Sequence, residues 1–166
     1  GSDDAQRALE LGSRIAACFG AGMLIVYVQA DNPSESELSR MGALWDQIGP
    51  RPLDPPHTPY MDDLIQRLGS APGLEHIDTQ AKALRELGNR VLQHASAAAQ
   101  RAGVKDADTR LLQGDPADAI VEAARSEDAD LVVTGSRGLG RVEGALRGSV
   151  SLKVAAHLEG SCLIFR

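Results

Sequence analysis

Residues 131–151 read LVVTGSRGLGRVEGALRGSVS, and this stretch decides the fold. A short apolar run, Leu131 to Val133, ends in Thr134 and Gly135. Glycines follow at 138 and 148, and Ser149 opens a helical pattern that runs to about Leu158. The order is strand, glycine-rich loop, helix start. Main-chain N–H groups that converge without Cβ atoms in the way bind phosphate, and a helix N-terminus adds a favourable dipole. The residues alone therefore point to a nucleotide-phosphate site at the carboxyl end of a strand.

Two common phosphate templates fail here. Gly135 and Gly140 have the spacing of a Walker A loop, but Arg141 and Val142 stand where lysine and a hydroxyl are needed. The dinucleotide fingerprint G-x-G-x-x-G fails as well, because Gly138 and Gly140 are followed by Glu143 in place of a third glycine. The pattern that fits is Gly135-x2-Gly138-x9-Gly148-Ser149, with a strand before it and Ser149-Val150-Ser151 after it. This resembles the nucleotide-binding signature of the universal stress protein family.

Working outward, strands and helices alternate. Asp3 to Phe19 reads as an amphipathic helix with Ala5, Ala8, Leu9, Gly12, Ile15, Ala16 and Phe19 on one face and Ser2 as its N-cap. Met23 to Val28 is apolar at every position, as suits a parallel strand covered on both faces. Ile77 to Ala102 is a long helical stripe of Ile77, Ala81, Leu84, Leu87, Val91, Ala95, Ala98 and Ala102. A strand at Asp108–Gln113 leads to Gly114-Asp115-Pro116, where Asp115 caps a helix and Pro116 takes its first position. Ala119, Ile120, Ala123 and Ala124 form the buried face of that helix, and a last strand covers Cys162–Arg166.

This alternation predicts an open α/β sheet with right-handed crossovers. Ligands of such sheets sit at the carboxyl ends of the strands, where Gly135 lies. Between Asn32 and His76 the chain is irregular and proline-rich, with room for two short helices around Leu38–Ile48 and Met61–Leu68.

The family resemblance extends to GSDDAQRALELGSRIA, to LLQGDPADAIVEAARSEDADLVVTGSRG and to SVSLKVAAHLEGSCLIFR. It covers about three quarters of the chain, over roughly 1–30 and 77–166. It implies a single domain over 1–166 with an insertion at about 31–76. The implied fold is an open, mostly parallel five-stranded sheet flanked by helices on both faces, of the adenine nucleotide alpha hydrolase-like kind. The family's first strand normally ends in Val-Asp-Gly-Ser, so it is expected upstream of Gly1 or from another chain; its aspartate would lie near the adenine. Two more departures are the length of segment 31–76 and Ser161-Cys162-Leu163-Ile164 where the family usually has Cys-Pro-Val.

Carried over residue by residue, the resemblance implies a nucleotide site of Val28, Thr134, Gly135, Ser136, Arg137, Gly138, Gly148, Ser149, Val150 and Ser151. Val28 would line the adenine pocket, and Thr134 sits where the strand meets the nucleotide. Ser149 and Ser151 would donate hydroxyls to phosphate, although N-capping also explains Ser149. Turn formation competes as the reading of Gly135, Gly138 and Gly148. Arg137, Arg141 and Arg147, taken singly, read more readily as solvated loop charges. The implied ligand is ATP, with magnesium optional, its triphosphate across 135–151. Homodimerisation through Cys162–Phe165 is also expected, since an apolar edge strand is otherwise prone to aggregate.

Composition narrows the alternatives. Hydrophobic residues make up 43% and charged residues 24%, ordinary for a soluble globular chain. Aromatics are only 3%, so the core is expected to be aliphatic. A net charge of −6 speaks against nucleic-acid and anionic-membrane partners, and Met23–Val28 is too short an apolar run to span a bilayer. Cys18 and Cys162 form no motif, so a reducing cytoplasm is the default. His57, His76, His94 and His157 show no metal spacing, and no residue pattern argues for covalent or general acid–base catalysis. Any ATP turnover is expected to be slow. The rival expectation is a dimeric interaction module of the same fold that binds no nucleotide and presents Leu38, Met41, Trp45, Leu64 and Leu68 to a partner.

Overall fold

A computed structural model describes residues 3–30, 74–136 and 149–165; at 74–81, 83 and 149 the description is of the backbone alone. The expected N-cap Ser2, the short helices of the proline-rich segment and its histidine and apolar residues lie outside these ranges, as does Arg166. Helix α1 spans Asp3–Phe19, strand β1 Met23–Gln29, helix α2 Leu74–Arg101 and strand β2 Ala107–Gln113. Helix α3 spans Pro116–Ser126, strand β3 Leu131–Gly135, helix α4 Ser149–His157 and strand β4 Ser161–Phe165. Among the described residues no helix is long and apolar enough to cross a membrane.

The strands form two parallel ladders. β1 pairs with β2 from Met23–Ala107 to Gln29–Gln113, and β3 pairs with β4 from Leu131–Ser161 to Gly135–Phe165. Parallel neighbours require crossovers, and α2 and α4 supply them. The result is the expected α/β fold with helices on both faces. Of the five expected strands, four are described, and among the described residues no ladder joins β1 to β3. Met23 to Val28 are half-buried at every position, with neither face of β1 left bare, in keeping with the all-apolar run.

Helix α1 ties the two ladders together. A methyl group built on Gly12 would lie 3.5 Å from Met23 Cε and 3.6 Å from Val133 Cγ2, so α1 rests on β1 and β3 at once. Ala16 forms a core with Ala99 and Val104, against which Ala17, Met23, Ile25 and Ala107 pack. Further along α2, Gly88 lets the helix sit close to the sheet: a Cβ there would meet Leu111 Cδ1 at 2.7 Å and Tyr27 Cδ1 at 3.2 Å.

Three sequence expectations need correction. The buried face of α1 is Asp4, Ala8, Gly12, Ser13 and Ala16, while Phe19 is 83% exposed. The apolar stripe placed Ala8, Gly12 and Ala16 correctly, but it put the exposed Ala5 and Phe19 inside and passed over Asp4 and Ser13, which are buried with polar atoms bonded; Ser13 Oγ donates to Leu9 O at 2.7 Å. Helix α2 starts at Leu74, three residues before Ile77, inside the range assigned to the irregular segment; Leu74 continues the stripe at helical spacing. Its inner face also includes Leu92 and Ala99, and Ala102 lies beyond its end and is exposed.

Candidate functional site

Both ladders run antiparallel to α1. Asp4 lies against Gly135, and Ala16 and Ala17 at the other end lie near Met23 and Ala107. The carboxyl ends of β1 and β3 therefore share one end of the molecule with the first turn of α1. Helices α3 and α4 also begin there, and Lys153 Nζ of α4 approaches Asp115 Oδ2 at 3.9 Å.

The three helix starts differ in charge. The first turn of α1 carries Asp3 and Asp4. Asp115 caps α3 by accepting from Ala117 N at 2.9 Å and Asp118 N at 3.2 Å, with Pro116 next in line, as its sequence predicts. That helix mouth is already filled by its own carboxylate. The first turn of α4 has no acidic residue. By charge, α4 is the start best suited to an added anion, since the N–H groups and dipole of a helix N-terminus favour negative charge.

The expected site residues divide into groups. Val28 is half-buried near the end of β1, paired with Leu112. Thr134 is half-buried, and its Oγ1 donates weakly to Gly135 O at 3.4 Å. Gly135 closes β3, and a Cβ on it would lie 2.8 Å from Asp4 C and 2.9 Å from Ala5 N. The demand for glycine there is a packing demand, distinct from the phosphate cradle and the turn considered from sequence. Ser136 N donates to Phe165 O at 2.6 Å, and Ser136 Oγ donates to Asp4 Oδ2 at 2.9 Å. Val150 is half-buried, whereas Ser151 is only 3% exposed and shares the inner face of α4 with Val154. Ser149 begins α4 in its backbone. Arg137, Gly138 and Gly148 lie outside the described residues.

Sequence reasoning missed two polar residues at this end. Asp4 is buried and bonded across the fold. Gln29, 6% exposed, ends β1 with its Oε1 buried and, among the described residues, without a hydrogen-bond partner. Their only sequence signal was polarity at the edge of an apolar element. Val28 and Gln29 are consecutive in β1, so their side chains lie on opposite faces of the sheet; the acid-free start of α4 is what fits an anionic ligand. Among the described residues no group of three His, Cys, Asp or Glu is placed to hold a metal ion.

Comparison with known proteins agrees with this architecture. Residues 55–166 match the model of the universal stress protein family. The "Universal stress protein in QAH/OAS sulfhydrylase 3'region" of Thermus aquaticus is 31% identical over 166 residues, covering 100% of this chain and 93% of the relative. A universal stress protein solved in complex with cAMP is 25% identical, with a TM-score of 0.56 over 99% of this chain and 89% of its own. UspA from Lactobacillus plantarum shares the fold at a TM-score of 0.63 and 20% identity, covering 100% of this chain and 92% of its own.

Proposed function

The chain belongs to the universal stress protein family, and from that premise we propose that it is a regulatory protein of the stress response that binds adenine nucleotide. One observation carries the reading: α4 begins with Ser149, Val150 and Ser151 at the end of the molecule where the strands end, with no acidic residue in its first turn. Its N–H groups and dipole suit phosphate. The likeness to a relative solved with cAMP supports an adenine ligand.

ATP is the proposed ligand. Its base would lie by Val28, its phosphates along Thr134, Gly135, Ser136, Arg137, Gly138 and Gly148 to Ser151, with magnesium as an optional companion. The buried side chain of Ser151 narrows its part to its main-chain N–H, leaving the hydroxyl contact to Ser149. The chain would act in the cytoplasm as one domain and as a homodimer joined through Cys162–Phe165. Bound ATP would supply occupancy as a signal; the residues assigned to it hold and orient it.

Calorimetric titration with ATP, AMP, cAMP and GTP tests this. The adenine nucleotides are expected to bind in preference to GTP, and Gly138→Val and Gly148→Val are each expected to abolish binding. Equal binding by wild type and both variants, or none by wild type, defeats the proposal. In the second case a dimeric interaction module becomes the better account.

A further inference from the structure

We infer that Asp4 is a positioning residue for the nucleotide site, holding Ser136 and with it the carboxyl end of β3 in place. This rests on the adenine-nucleotide reading above. Asp4 is only 7% exposed. A carboxylate is rarely buried without compensation, because it loses its hydration. Here Asp4 Oδ2 accepts from Ser136 Oγ at 2.9 Å, across 132 residues of sequence. A bond to a charged acceptor is stronger than one between neutral groups. The same serine is held by its backbone, since Ser136 N donates to Phe165 O at 2.6 Å. Ser136 is thus fixed between the first turn of α1 and the end of β4.

Gly135 makes this possible. A Cβ on Gly135 would stand 2.9 Å from Asp4 Cβ and 2.8 Å from Asp4 C, so any side chain would push β3 away from α1 and break the reach of Ser136 to Asp4. A negative charge beside a phosphate site opposes binding by simple repulsion. Asp4 therefore helps only by geometry, and geometry and charge can be separated by substitution. Asparagine keeps an acceptor oxygen and drops the charge; alanine drops both.

The test measures affinity for AMP and for adenosine in wild type, Asp4→Asn, Asp4→Ala, Ser136→Ala and the double alanine variant. Asp4→Ala and Ser136→Ala are each expected to weaken AMP about tenfold, the size of one lost hydrogen bond to a charged group. The double variant is expected to be no weaker than the worse single one, because both remove the same link. Asp4→Asn is expected to bind AMP at least as tightly as wild type, and adenosine affinity to stay within about twofold throughout.

AMP binding unchanged in Asp4→Ala, losses that multiply in the double variant, or adenosine weakening in step with AMP would overturn the inference. Should Asp4→Ala fail to fold, Ser136→Ala against Asp4→Asn makes the same comparison. If wild type binds neither AMP nor adenosine, the nucleotide reading fails without reference to any variant, and the role of Asp4 falls with it.

Discussion

At Gly135 the fold makes a packing demand that a glycine motif does not register. The sequence presents it as the first glycine of a phosphate motif, and the fold uses it to bring the end of β3 against the backbone of Asp4 and Ala5. Gly135→Ala is expected to destabilise the fold by about 1–3 kcal/mol, the usual cost of overpacking, seen as a lower urea midpoint at unchanged slope. An unchanged midpoint would mean that the two segments separate freely. The cysteines give a second residue-level contrast. Cys18 is exposed, whereas burial pushes the Cys162 thiol above its ordinary pKa. A thiol-alkylating reagent at mildly alkaline pH is expected to modify Cys18 well before Cys162. The folded state favours the neutral thiol of Cys162. Its contribution to stability is therefore full below the ordinary thiol pKa and is lost as pH rises through the raised value. Cys162→Ser is expected to remove that alkaline loss, measured as the slope of unfolding free energy against pH.

At the level of elements, the capped start of α3 was legible residue by residue. Asp115, Pro116 and Asp118 are local signals, and their geometry needs nothing from the rest of the chain. Asp115→Ala is expected to cost about 1 kcal/mol in urea unfolding. The lengths of α1 and α4 and the positions of all four described strands were also legible, because apolar period and glycine punctuation mark them locally. The inner face of α1 was legible only in part, at Ala8, Gly12 and Ala16. An apolar stripe gave Phe19 an inward place and left out Asp4 and Ser13, whose burial depends on hydrogen bonds that periodicity does not register. Gly88 is similar: on a helix surface it looks like a defect, and only contact with Leu111 and Tyr27 explains it. Gly88→Leu is expected to lower stability by about 1–3 kcal/mol, although leucine is the better helix former. A rise in the urea midpoint would contradict the close packing of α2 on the sheet.

Across the whole molecule, the carboxyl ends of β1 and β3 and the starts of α1, α3 and α4 gather at one end. The glycine spacing marked the helix start at Ser149. It gave no sign of Asp4 or Gln29, which come to this end of the molecule only because the fold brings distant segments together. At the side of the sheet, β4 pairs with β3 alone among the described residues, and Leu163 is exposed. If the proposed dimer uses this strand, sedimentation equilibrium will find a dimer that Leu163→Lys converts to monomer; a monomeric wild type would remove that part of the proposal. The central claim is that adenine nucleotide binds where the strands end. Its most direct test is titration of AMP into isotopically labelled protein, read by amide chemical shifts. The amides of Gln29, Ser136, Val150 and Ser151 are predicted to move together and saturate, while those of Met23, Ala107, Leu131 and Ser161 at the opposite end stay still. Absence of any saturating shift, or shifts confined to that opposite end, would contradict the account.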